Sequence, residues 1–461
     1  MPRLMRYALP LIFLAPAAAQ AQDARVTPKA LYEEVTPSLV AVEYSWVDEL
    51  HKRDLIGAGV VVGDDLVMLS IGLVNQQIPD EQMKEFKIIV PRQDGDPDEI
   101  DAVFQGRDER TNMAFVKAKK PQHWKAIKFT DEKLEVGERV LSVGMLPQAA
   151  AYKSYLMESR VAAQLRGDTP QILVQGAGLT GMGSPVFNAE GKAVGIVSYS
   201  PGQSILLNRS EESLAAISSP GKFFTPSSDF LLSLNDPPTP DKPIKLPWTG
   251  VAALTGLSKD VAEALDLKNK PAIQIGEVIP NTAADKAGVK SGDIILKLNG
   301  EPLERGDEAS ELPGIFRRRL LRHKVGEEIT LTVLRGTDSK PMDIKVTLAE
   351  QPKQANVAKR YFGEDLGFVV RELVFNDIYA RKLPADQKGV LVQEEREQGA
   401  AVSAGLHNGD IIVRMNNEPV TDLDEFAKQY KALRKAKPHE AIVLVVQRTT
   451  GEDTIRIEAP Q

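Results

Sequence analysis

Between Ser38 and Tyr199 the apolar positions fall into short runs separated by turn residues: LVAVEY, GAGVVV, DLVMLS, FKIIVP, MAFVKA, RVLSVG, ILVQG and AVGIVSYS. Runs of this length, rich in Val and bounded by Gly, Asp and Pro, predict strands, and their succession predicts an all-β sandwich or a pair of barrels. Ser227 to Leu234 reads as the end of that domain. The segment Asn235 to Pro243 follows with prolines at 237, 238, 240 and 243, too many for a helix or central strand, so a linker is expected there.

Beyond the linker the pattern repeats. NTAADKAGVKSGDIILKLNGEPL (Asn281 to Leu303) matches QGAAVSAGLHNGDIIVRMNNEPV (Gln398 to Val420), which places Asp293 and Asp410 at equivalent positions. Each copy reads as a small-residue helical turn, a Gly-Asp turn, an apolar strand and then a helix, predicted over Gly314 to His323 and Asp422 to Lys435. EITLTVLRG and AIVLVVQRT supply later strands. The expected organisation is a leader over 1–21, a β-domain over 22–234, a linker over 235–245, modules over 246–350 and 361–461, and a connector over 351–360.

The leader is predicted from Arg3 and Arg6, the apolar run Tyr7 to Leu14 and the small residues Ala17 to Ala21, the order of a secretory signal cleaved after Ala21. The apolar run is too short to span a bilayer, so a soluble, exported, periplasmic protein with no membrane span after cleavage is expected. A length of 461 residues suits about three domains. The 57 Lys and Arg against 64 Asp and Glu give a formal charge of −7, which argues against nucleic acid or anionic lipid as a partner. With no cysteine, disulfides, thiolate metal sites and cysteine nucleophiles are all excluded.

The repeats, above all AGVKSGDIILKLNGEPL, resemble bacterial PDZ domains. A β-domain followed by two of them resembles the HtrA family (DegP/DegQ type) of exported trypsin-like serine proteases. GAGVVVGDDLVMLSIGLV (Gly57 to Val74), GRDERTNMAFVK (Gly106 to Lys117) and GMGSPVFNAEGKAVGIV (Gly181 to Val197) carry the resemblance in the β-domain, in the family's order. The implied fold is mainly β: a trypsin-like double β-barrel followed by two PDZ-like α+β domains.

The resemblance also says where catalysis would sit. Such a protease needs a serine nucleophile, a histidine base, an orienting aspartate and backbone N–H groups for the oxyanion. The family's histidine position falls in Leu69-Ser70-Ile71-Gly72, at Gly72. Its aspartate position falls in Thr111-Asn112-Met113-Ala114, at Asn112. With Pro185 and Asn188 fixing the register, the nucleophile's place in Thr180-Gly181-Met182-Gly183-Ser184-Pro185 is held by Met182. Glycine cannot take a proton and methionine cannot attack a carbonyl, so a degenerate protease is expected, with no catalytic residues of its own. Ser184 is the fallback nucleophile of the rival reading, an active endopeptidase with an unorthodox site. It lacks a base, because His51 and His123, the two histidines of this domain, are expected to be solvated loop residues.

PDZ domains take a peptide C-terminus by adding it as a strand to a sheet edge and holding its carboxylate on backbone N–H groups. The resemblance places this at Trp248, Thr249, Gly250 and Val251 in the first module and at Leu366, Gly367, Phe368 and Val369 in the second, following Asp365, with Val369 and Val370 continuing the edge strand. Gly250 and Gly367 permit close backbone approach. The implied partners are peptide or protein C-termini with apolar ends, and a homotrimer or a mixed oligomer with an active relative. The implied role is that of a scaffold, chaperone-like factor or regulator in protein quality control.

Other signals are set aside. In the acidic run Asp94 to Asp101, Glu99 and Gln105 stand where an EF-hand needs glycine and a bidentate glutamate, so a solvated hairpin is expected. Arg317-Arg318-Arg319 is read as the wet side of an amphipathic helix. Gly57-Ala58-Gly59 lacks the lysine and helix of a phosphate loop. No metal or cofactor is expected.

Overall fold

The computed structural model describes residues 25–49, 51–74, 78–92, 95–167, 169–198, 221–267, 270–336 and 340–459. The expected leader and its cleavage site lie outside the described residues, as does Asp94 of the acidic run.

Twelve strands form two closed barrels. The first contains β1 (Leu39–Val47), β2 (Lys52–Val61), β3 (Leu66–Ser70), β4 (Met83–Val90), β5 (Asp98–Asp108) and β6 (Met113–Ala118), in the order β1-β2-β3-β6-β5-β4. The second contains β7 (Arg139–Met145), β8 (Ser154–Leu165), β9 (Gln171–Gly176), β10 (Pro185–Phe187), β11 (Ala193–Ser198) and β12 (Phe223–Pro226), in the order β10-β11-β12-β9-β8-β7. Closure leaves neither sheet with a free edge.

The continuous apolar runs in the sequence follow from how the barrels meet. Successive side chains on a strand point to opposite faces. Val61, Leu69 and Val116 fill the first barrel. Their neighbours Val60, Met68 and Phe115 face outward and pack with Leu141, Val143 and Ile196 of the second. The helix Pro28–Val35, started by Pro28 and capped by Thr27 Oγ1 accepting from the Ala30 N–H, adds Leu31 and Val35 to that interface.

The first module has β14 (Val251–Gly256), β15 (Ile273–Val278), β16 (Ile294–Leu298), β18 (Glu328–Leu334) and β19 (Met342–Thr347) in that order. Here β17 (Glu301–Pro302) lies beside β16, and β13 (Pro247–Trp248) pairs separately with β20 (Ala349–Glu350). The second module has the order β21 (Arg360–Gly363), β22 (Phe368–Glu372), β23 (Val390–Glu395), β24 (Ile411–Met415), β26 (Ile442–Arg448) and β27 (Gly451–Ile457), with β25 (Glu418–Pro419) beside β24. The repeated aspartates are structural. Asp293 takes two hydrogen bonds from Arg335 and one from the Lys290 N–H, and Asp410 takes the same set from Arg448 and the His407 N–H.

One expectation needs correction. Only Arg317 of the arginine run is exposed. Arg318 is 16% exposed and pairs with Glu304 and Asp229, and Arg319 is 17% exposed and holds Glu301 and the Pro302 carbonyl. The helix carrying them, Leu312–Leu321, abuts the barrel domain at Asp229, so that side is not wet. The proline-rich segment, expected as a linker, runs against the first barrel. Pro238 lies so close to β5 that a Cβ at Gly106 would stand 3.0 Å from it.

Candidate functional site

The three positions at which the resemblance places a triad, Gly72, Asn112 and Met182, lie at or next to residues of the seam between the barrels. Ser70 ends β3 opposite Met113 of β6, and the Ile71 N–H donates to the Asn112 carbonyl at 2.8 Å, which sets Gly72 beside Asn112. Gly72 is exposed in the short turn Ile71–Leu73, and a Cβ there would meet nothing nearer than Ser70 Oγ at 3.8 Å. Space for a side chain exists at the base position. Asn112 is half-buried with φ 56°, a left-handed conformation that Asn and Asp tolerate.

Met182 is 4% exposed and packs with Ala41, Ile56, Leu73, Ile89, Met145 and Tyr152. Residues of both barrels thus form an apolar cluster around Met182, the position expected for the nucleophile. Sequence reasoning singled out Met182 but not its company, because these six side chains come from separate strands and turns.

The oxyanion donors of this fold are the nucleophile's own N–H and that of the residue two before it. The second of these belongs to Thr180, and it donates to Ser142 Oγ at 2.8 Å. The next N–H, of Gly181, donates to the Tyr155 hydroxyl at 2.8 Å, and burial pushes that phenol's pKa up. Nothing in the sequence marks Ser142 and Tyr155 as partners of this loop. They lie on β7 and β8, far along the chain, and no motif marks them.

Ser184 is 3% exposed. Its N–H donates to the Gly181 carbonyl at 3.2 Å, and its carbonyl accepts from the Val197 N–H at 2.8 Å. A Cβ at Gly144 would lie 2.7 Å from Ser184 Oγ, so the hydroxyl is packed against β7. Among the described residues no histidine is hydrogen-bonded to it. His123 is exposed at φ 58°, as expected of a loop residue. His51 is more engaged than expected. Its Nδ1 lies 3.3 Å from Asp48 and 3.7 Å from Glu394 of the second module, beside a Glu49 to Arg360 pair at 3.7 Å. The buried carboxylate nearest in sequence to Asn112, Asp108, is committed to Arg110 and to the Ser233 hydroxyl.

The two PDZ-like loops superpose in their bonding. The Thr249 and Gly250 carbonyls accept from the N–H groups of Ala284 and Ile279, and the Leu366 and Gly367 carbonyls accept from those of Ala401 and Arg396. Gly250 and Gly367 have φ 86° and 73°. In the first module, among the described residues, β14 has a partner on one side only, β15. Its free edge and the helix Leu312–Leu321 enclose a groove of about 380 Å³, lined by Trp248, Val251, Leu254, Phe316, Arg317 and Leu320. Ala253 in this edge strand has φ 51° and lies against Gly276 of β15, where a Cβ would stand 2.8 Å from its own, and the register is the same on either side of it.

The second module differs from expectation, because β22 is not an edge. β21 pairs along its outer side from Arg360 opposite Arg371 to Gly363 opposite Phe368, so Val369 and Val370 are covered. The loop is braced by Tyr430, whose hydroxyl donates to Asp365 at 2.5 Å. Burial, then that carboxylate, pushes the phenol's pKa up and keeps it a donor.

Comparison with known proteins agrees with this architecture. A trypsin-like peptidase domain model matches residues 57–196, and a PDZ domain model matches 262–346 and 365–459. Over 400 residues the chain is 27% identical to a probable periplasmic serine endoprotease, DegP-like, of Pseudomonas putida (strain GB-1), covering 84% of this chain and 76% of that one. It is 25% identical over 366 residues to a probable periplasmic serine protease, do/HhoA-like, of Haemophilus influenzae (strain ATCC 51907 / DSM 11121 / KW20 / Rd), covering 74% and 68%. The solved structure of the HtrA-type protease AlgW with decapeptide aligns with TM-score 0.51 at 15% identity over 71% of this chain and all of that one, a likeness of fold. Among the described residues no helix is long and apolar enough to cross a membrane. With a trypsin-like double barrel, two PDZ domains behind it and DegP-like relatives aligned along most of its length, the chain is a trypsin-like peptidase-fold protein with two PDZ domains, homologous to the HtrA/DegP proteins.

Proposed function

We propose that this chain is an exported, periplasmic member of the family that recognises peptide C-termini or unfolded segments without cleaving them, as a scaffold, chaperone-like factor or regulator in protein quality control. The observation that carries this reading is the apolar cluster around Met182, the position expected for the nucleophile. Met182 is buried among six apolar side chains where a reactive hydroxyl would have to face a substrate. Gly72 offers no base, Asn112 no charge, and the Thr180 N–H is held by Ser142. Loss of a serine protease triad costs on the order of 10⁶ in turnover. Recognition then falls to the PDZ modules, and the first, with a free strand edge beside an apolar groove, is the better disposed to accept a C-terminus. Assembly into a homotrimer, or with an active relative, belongs to the same proposal.

The alternative, an endopeptidase built on Ser184, finds no support in a hydroxyl packed against Gly144 with no histidine bonded to it. The deciding experiment is labelling of the mature protein by a serine-reactive fluorophosphonate together with hydrolysis of unfolded casein, with Ser184→Ala as control. No labelling and no hydrolysis are expected. Labelling and cleavage that vanish in Ser184→Ala would overturn the proposal.

A further inference from the structure

We infer that the groove of the second module is a binding site for an internal strand, and that its occupant is the segment Arg360–Gly363 of this same chain. The function drawn from this rests on the peptide-binding reading above; the strand's placement does not. The two modules are copies of one repeat, and they differ in how the chain enters the loop. In the first it enters from β13, which pairs with β20 at the module's end and leaves the outer side of β14 free. In the second it enters from β21, folded back along β22 in antiparallel register. Antiparallel addition of a strand at this edge is how such a module takes a peptide.

Each part of a bound peptide has its counterpart in the chain. The N–H groups of Leu366 and Gly367 donate to the Gly363 carbonyl at 3.2 and 2.8 Å, so a carbonyl oxygen stands where a terminal carboxylate would be held. Tyr361 packs edge-on to Phe426 and Tyr430 of the helix Leu423–Ala436, with ring centroids 5.9 and 5.6 Å away, and so anchors the strand against the helical wall. Arg360 reaches Glu49 of the first barrel at 3.7 Å. A strand joined to its site by a four-residue turn has an effective concentration of at least the millimolar order. A free C-terminus must displace it, and displacement breaks the Arg360 to Glu49 contact with the barrel. The module is therefore closed to ordinary ligands, and opening it is coupled to its seat on the protease-fold domain.

The absence of cysteine makes the test direct. Phe362 and Val369 lie opposite each other. In the full mature chain carrying Phe362→Cys and Val369→Cys, mild oxidation is expected to give a complete intramolecular disulfide with loss of maleimide labelling. Two cysteines that remain labelled after oxidation would overturn the inference. Should that variant not fold, hydrogen exchange on the unmodified chain decides: the 360–363 and 368–372 amides should exchange at least about tenfold slower than free-peptide rates, and unslowed exchange overturns it. A fluorescein-labelled decapeptide ending Ala-Val-Leu with a free carboxylate is expected to bind at one site per chain, whether the disulfide is oxidised or reduced. Two sites in the reduced form would overturn the inference. Binding at no site would sink the peptide-binding reading, while the crosslink still judges where β21 lies.

Discussion

Rebuilding the triad should not by itself rebuild the enzyme. The perturbation is the triple variant Gly72→His, Asn112→Asp and Met182→Ser, alone and with Ser142→Ala added. Histidine has room at Gly72, where the nearest atom to a new Cβ is 3.8 Å away, and aspartate tolerates φ 56° at 112. Serine at 182 opens the apolar cluster at a cost of about 2–5 kcal/mol, the range for truncating a buried methionine, so folding is checked by circular dichroism and thermal melting. The oxyanion donor at Thr180 remains bonded to Ser142 Oγ at 2.8 Å in the triple variant. Loss of one such donor costs roughly 10² to 10³ in kcat, about 2.7–4 kcal/mol. The quadruple variant, with that N–H released, should hydrolyse unfolded casein and react with a fluorophosphonate about 100 to 1000 times faster than the triple. If the folded triple variant matches the quadruple, the Ser142 contact is not what keeps the oxyanion site unformed, and the reasoning fails.

Met182→Ala alone should destabilise the barrel domain by about 2–5 kcal/mol in urea denaturation, because it empties a packed cluster rather than a solvated cleft. Asp293→Asn should lower the stability of the first module by roughly 2–3 kcal/mol, since the buried carboxylate receives two hydrogen bonds from Arg335; a neutral result would return the Gly-Asp turn to a merely local role. At Asp377, burial pushes the carboxyl's pKa up, but Arg371 at 2.6 and 2.8 Å and the Val374 N–H more than offset it, leaving the folded pKa below 3.8. The ionised form thus contributes stability that is present above about pH 4 and lost as pH falls through the depressed value. Melts of wild type and Asp377→Asn should differ at pH 7 and converge toward pH 2. Gly250→Ala should weaken binding of the decapeptide at least about tenfold, because φ is 86° and a Cβ would stand 2.2 Å from Thr282, distorting the carboxylate loop.

Much of this was legible along the chain. Val-rich runs between turns marked strands such as Met113–Ala118 to the residue, since strand and turn preferences are local. β5 and β8 were missed: DEIDAVFQGRD and SYLMESRVAAQL carry scattered polar and charged positions, and their ladders form only with partners distant in sequence. The helix expected from Gly314 begins at Leu312, after a short turn whose Glu308 and Glu311 cap one another's backbone. The candidate site divides in the same way. Gly72, Asn112 and Met182 could be singled out because motifs are contiguous, whereas the Ser142 and Tyr155 bonds to the Thr180–Pro185 loop join segments that only the second barrel brings together.

By itself the sequence determined the chemistry available: no proton acceptor at 72, no carboxylate at 112, no hydroxyl at 182, and two copies of a module with a glycine in each carboxylate loop. These are matters of residue identity, and folding cannot supply a missing functional group. Tertiary structure alone decided what surrounds Met182 and how the strand entering each module is paired. Apolar side chains of both barrels close on Met182 because burial away from water is favoured wherever surfaces meet. The carbonyls of the two loops accept from equivalent N–H groups, but one entering strand pairs with the far end of its module and the other lies along the strand that follows its loop.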